Sequence, residues 1–203
     1  MESFRSSSET GLVAAIKAAF PQTRFKLHAN LTRKYLETVD VVVIGVAEGG
    51  ETEITPLTAK EQSALRAFVR HGGAAVLFCD NKVQFNPASN SFLAPFRMAS
   101  DGKLPDAQTL NFVAGTNDPV QSGPFGTVAQ LDYNWPGWFT KIGPATVLGT
   151  LANGKPGLAY LLKGSLGAGS GAVVFFADSS LMGDGQRTAE DQTAILNAIA
   201  LAQ

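Results

Sequence analysis

Three stretches of the chain carry uninterrupted apolar runs: Asp40 to Val46, Gly73 to Asp80 and Ala172 to Asp178. Continuous rather than alternating apolar residues mark strands buried on both faces, as in a parallel sheet. Between the first two runs, Thr58 to Arg70 changes to a helical period, with Ala64, Leu65, Phe68 and Val69 on one stripe. Thr58 and Glu61 have capping-box spacing, and His71-Gly72-Gly73 supplies a stop. The segment therefore predicts a βαβ unit.

The same reading predicts helices from about Glu9 to Phe20 and from Leu31 to Thr38, with a short strand at Thr23 to His28 between them. Ala47 to Leu57 reads as an acidic loop. Beyond Cys79 the pattern weakens to one helical turn at Ser91 to Ala94 and long loops over residues 101–147. Two compact signatures stand in those loops, Asn117 to Gly126 and Asn134 to Phe139. A loop region of this length commonly covers or forms a site. Strands return at Ala145 to Leu151 and Leu158 to Lys163, joined through Asn153-Gly154, a hairpin signal. A helix at Thr188 to Ala202 closes the pattern, with Ile195, Ile199 and Ala202 inward. No repeat or linker interrupts the 203 residues, which predicts a single domain over 1–203.

Composition narrows the function classes. A net charge of −1 leaves no electrostatic footprint for nucleic acid or an anionic membrane. No apolar run reaches the roughly 18 residues that span a bilayer, and no signal pattern opens the chain, so a soluble, by default cytoplasmic, protein is expected. The single cysteine, Cys79, excludes an internal disulfide and a cysteine-based zinc cluster.

The order of Asp40 to Gly45, Leu57 to Gln62, Leu65 to Gly73, Asp118 to Val120, Gly123 to Gly126 and Gly169 to Ser179 resembles the class I glutamine amidotransferase-like superfamily. The likeness is to its non-amidotransferase, trehalose-utilisation-like branch. That resemblance implies an α/β, three-layer, flavodoxin-like fold with a mostly parallel sheet, to which the pattern adds an antiparallel hairpin near the C-terminus. The chain departs from the family in two respects. The family opens with a strand ahead of its first helix, whereas eight mostly polar residues stand here. Either the sheet is rearranged, or an upstream segment or a partner supplies that strand. The glutaminase elbow and its later histidine are also missing: Cys79 lies between Phe78 and Asp80, and no histidine follows His71. Glutaminase activity is not expected.

Open α/β sheets bind ligands outside the carboxyl ends of their strands. Those ends place His28, Glu48, Cys79, Asp80, Asn81, Asp178, Ser179 and Ser180 as site candidates. Cys79 is a nucleophile if a base such as His28 lowers its pKa, and a buried core thiol otherwise. Asp178 joins them as the third catalytic candidate. Asp80, Asp178 and Asp184 are the oxygen ligands a divalent cation would use, although no cofactor or metal is assigned and Asp178 equally suits a turn cap. His71 falls at the opposite edge and caps a helix. Trp135 and Trp138 either stack on a ligand ring or plug the sheet. Two functions remain: a module binding a small molecule, a carbohydrate among them, or a protein partner; and a hydrolase of ester, lactone or amide bonds. The hydrolase would use Cys79 and His28, or a metal-activated water at Asp80 and Asp178. An open sheet edge would admit homodimerisation by strand pairing.

Overall fold

The computed structural model describes residues 10–22, 24, 30–45, 56–81, 85–115 and 118–202. The chain opens with helices α1 (Thr10–Ala19) and α2 (Arg33–Leu36), strand β1 (Val41–Gly45), helix α3 (Ala59–Arg70), strand β2 (Ala74–Phe78) and helix α4 (Asn86–Leu93). Six short strands follow: β3 (Ala99–Asp101), β4 (Ala107–Phe112), β5 (Ser122–Gly123), β6 (Gly126–Thr127), β7 (Gln130–Asn134) and β8 (Trp138–Lys141). The remainder is β9 (Thr146–Leu151), β10 (Pro156–Leu161), β11 (Val173–Phe176) and α5 (Ala189–Ala202). The strand expected at Thr23 to His28 lies outside the described residues.

The βαβ unit forms as its pattern dictates. Thr58 accepts from the Glu61 N–H, and Glu61 accepts from the Thr58 N–H at 3.0 Å, closing the capping box at the start of α3. Gly72, at φ +100, ends the helix in a conformation that side chains resist. Every residue of β2 and β11 is buried, which explains their unbroken apolar sequences. β1, β2 and β11 pair in parallel, β2 in the middle.

The main sheet has seven strands in the order β1-β2-β11-β10-β9-β4-β7. Beyond β11 every pairing is antiparallel, yet β9 and β7 regain the direction of β1, β2 and β11, so five of the seven strands point one way. The fold is thus a mixed α/β one. α5 packs on β2 and β11 with α1 against it, while α3 packs on β2 with α2 and α4 alongside. β7 stands four places from β11, but the Asn134 N–H at its end bonds the Asp178 carboxylate, so the sheet curls back on itself.

Two expectations are corrected. Residues 101–147 are not one continuous loop, since β4 and β7 within them join the main sheet. They escape an apolar reading because they are short and alternate, as in β7, where Leu131 and Tyr133 are buried and Asp132 is exposed. The turn expected at Ser91 to Ala94 is a full helix, α4, continued by a 3₁₀ turn at Ala94–Phe96. Its buried serines serve other segments: Ser89 Oγ accepts the Asp80 N–H at 3.1 Å and Ser91 Oγ the Leu57 N–H at 2.8 Å. No local pattern announces such bonds.

Candidate functional site

Parallel strands end at one edge, so the residues after β2 and β11 meet there. Cys79 follows β2 with its N–H on Phe176 O at 2.8 Å, and Asp80 and Asn81 come next. From β11, the Ser179 hydroxyl donates to Asp80 Oδ2. Asp80 Oδ1 accepts from Asn81 Nδ2 at 2.8 Å and from its N–H at 2.5 Å. Asp178 Oδ1 accepts the Ser180 N–H at 2.8 Å, and its Oδ2 accepts the Asn134 N–H. Asp80, Asn81, Asp178, Ser179 and Ser180 are thus brought together, and all are buried. His28 and Glu48 lie outside the described residues.

Burial in this cluster sets its electrostatics. The Asp178 carboxyl is pushed well above the carboxylate range, first by burial and then by the Asp80 charge, with the Ser180 and Asn134 N–H bonds opposing. The Cys79 thiol is fully buried and its pKa rises well above the ordinary value, again by burial first and the Asp80 charge second. These conditions suppress the thiolate that nucleophilic attack requires. Asp184 stands apart from the pair. Its Oδ2 accepts the Gly11 N–H at 2.7 Å and its Oδ1 meets Arg187 at 2.8 Å, so it holds the start of α1. Among the described residues, no group of three His, Cys, Asp or Glu side chains is disposed to hold a metal ion.

The segment after β7 roofs the cluster. A β-carbon at Gly137 would lie 3.0 Å from Asp80 O, tighter than most side chains sit, so the glycine eases the close approach of the roof. Trp138 is a plug: a β-carbon at Gly102 would fall 1.8 Å from its ring, and Lys155 Nζ lies 3.2 Å from the ring centroid. Trp135 is the reverse. It is 49% exposed, sits at φ +53, and has Lys103 Nζ 4.6 Å from its ring centroid. The turn is held by the Trp135 N–H on Asp106 O at 3.1 Å and the Leu104 N–H on Pro136 O at 2.9 Å. Sequence reasoning singled out Trp135 but missed Asn134, Asp106 and Ser89. Asn134 and Asp106 act through backbone groups that leave no side-chain signal.

A second concavity lies at the opposite edge, before β1 and β2. It is an open cleft of about 810 Å³ lined by Leu36, Asp40, Ala64, Phe68 and His71 among others. His71 caps α3 there, its Nδ1 donating to Ala67 O at 2.6 Å. The cleft shares no residue with the strand-end cluster.

No family model and no curated protein matches the sequence. Solved structures do match in fold. The mmIFT52 N-terminal domain superposes with a TM-score of 0.71 at 13% identity, over 100% of this chain and 95% of that one. A cytoplasmic protein from Salmonella typhimurium LT2 gives 0.62 at 17% identity, over 98% of this chain and 88% of that one. A ThuA-like protein from Bacteroides uniformis gives 0.57 at 12% identity, over 98% and 87%. A ThuA-like neighbour fits the trehalose-utilisation-like resemblance at the level of fold. Among the described residues no helix is long and apolar enough to cross a membrane.

Proposed function

We propose that the chain is a non-catalytic binding module on a flavodoxin-like, amidotransferase-like fold, and that Trp135 is its ligand contact. The carrying observation is the contrast between the strand-end cluster and its roof. The polar groups that could do chemistry are spent on one another, whereas Trp135 is displayed to solvent in a backbone conformation that costs a bulky residue about 1–3 kcal/mol. An indole held outward at such a cost is suited to stacking on a ligand ring. The ThuA-like neighbour favours a ligand of carbohydrate character.

The hydrolase alternative fares less well on this geometry. Cys79 is inaccessible, and a cation at Asp80 and Asp178 would have to displace the Ser179 and Asn134 bonds that occupy their oxygens. The test is a glycan and small-molecule binding screen read by tryptophan fluorescence and calorimetry, on the parent, Trp135→Ala and Cys79→Ala. Binding lost in Trp135→Ala and kept in Cys79→Ala supports the reading. Turnover of an ester, lactone or amide that disappears in Cys79→Ala, or on addition of a chelator, overturns it in favour of the hydrolase.

A further inference from the structure

The cleft before β1 and β2 takes no part in the strand-end cluster or its roof, yet its volume of about 810 Å³ falls in the small-molecule range of roughly 300–1,000 Å³. Its floor is apolar, with Leu36 buried and Ala64 and Phe68 half-buried. The Phe68 ring packs against Gly73, where a β-carbon would fall 2.2 Å from it. The polar groups around that floor favour one sign of charge. Arg33 and Glu37 pair with each other at 3.0 Å, which leaves Asp40 as the unmatched charge of the lining. No donor among the described residues reaches the exposed Asp40 carboxylate. His71 commits its Nδ1–H to Ala67 O at 2.6 Å, so in the neutral ring Nε2 is a lone-pair acceptor. The carboxyl end of α3 comes to the same place, and its dipole favours positive charge. Arg70, the basic residue of that last turn, stands outside the lining.

We infer that this cleft is a second binding site, separate from Trp135, and that it takes a small organic cation: an ammonium group on an apolar stem. An ammonium carries three donors and no acceptor, and it finds acceptors here in the Asp40 carboxylate and His71 Nε2. Its stem lies on Leu36 and Ala64, and the Phe68 ring offers a face for stacking or for the cation itself. A neutral ligand of the same shape gains only the floor. A carboxylate or phosphate ligand meets Asp40 as a like charge.

The experiment is calorimetry on the full chain with three probes that share an indole body and differ in head group: tryptamine, the neutral tryptophol and the anionic indole-3-acetate. Tryptamine is expected to bind at least about tenfold more tightly than tryptophol, and indole-3-acetate more weakly than both. Asp40→Asn keeps the shape and removes the charge, and is expected to bring tryptamine to within about threefold of tryptophol. Ala67→Arg sets a tethered cation among the lining residues and is expected to weaken tryptamine at least about tenfold. Both variants are compared with the parent by thermal unfolding, and Asp40→Asn, at an exposed position, carries the test if Ala67→Arg does not fold. Trp135→Ala is expected to leave tryptamine binding unchanged, which separates this site from the roof. Equal affinity for tryptamine and tryptophol overturns the inference, as does a preference that survives Asp40→Asn. So does binding that Trp135→Ala abolishes, or no binding of tryptamine at about 1 mM.

Discussion

Asp178 concentrates the energetics of the strand-end cluster in one side chain. It is fully buried, and both of its oxygens accept backbone N–H groups from different segments. Its carboxyl is raised above the ordinary range by burial, with the Asp80 charge adding to it. A group raised on folding contributes stability that is fully present below its unfolded value and lost as pH rises through its folded one. Asp178→Asn removes that dependence. It also turns an NH₂ group toward one of the two backbone N–H donors, a mismatch expected to destabilise the fold by about 1–3 kcal/mol near neutrality. Urea unfolding from pH 4 to 8 checks both parts. A variant as stable as the parent, with the parent's full pH slope, would show that Asp178 does not carry this role. That polar residues gather at the strand ends was legible from position alone. The pairings were not, because Ser179 to Asp80 and Asn134 to Asp178 join residues 99 and 44 apart in sequence.

Helices show where local chemistry suffices and where it stops. The start of α3 is written in Thr58 and Glu61, and the structure uses both. Thr58→Ala is expected to cost about 1 kcal/mol, seen as a lower urea midpoint at unchanged slope. Loss of no more than a few tenths would mean that Glu61, which also accepts the Leu31 N–H at 3.1 Å, anchors the helix alone. At the start of α5 the same spacing recurs with Thr188 and Asp191: Thr188 Oγ1 accepts the Asp191 N–H at 3.2 Å. The remaining Asp191 oxygen reaches β7, a duty no helix pattern signals. Farther along α5, the buried Asn197 donates to Val120 O at 3.1 Å and Gly126 O at 3.0 Å and accepts the Phe125 N–H. It thereby pins residues 120–126, whose composition marks them only as turns. α4 escapes a local pattern because its serines are buried and bonded to backbone outside the helix.

For the whole molecule, Cys79 is a built-in reporter of opening. The thiol lies at the end of β2, an interior strand paired on both sides, with no exposed surface, so alkylation requires unfolding of the sheet around it. Labelling under native conditions is expected to run roughly 10³-fold or more below the rate for an unstructured peptide thiol, and to rise in step with global unfolding in urea. Native labelling at the peptide rate would place the thiol within reach of solvent and restore Cys79 as a candidate nucleophile. The sequence by itself determined the βαβ unit, the helix stops, the burial of β11 and the edge at which the polar residues gather. Those features depend on period, capping and continuous apolarity, which act over a few residues. Only the tertiary structure decided that β11 lies beside β2, that β4 and β7 extend the sheet and curl it, and that Trp135 is exposed while Trp138 packs half-buried against the core. Strand neighbours and side-chain exposure are settled by how distant segments share one core, and short alternating strands carry too little local pattern to name their partners.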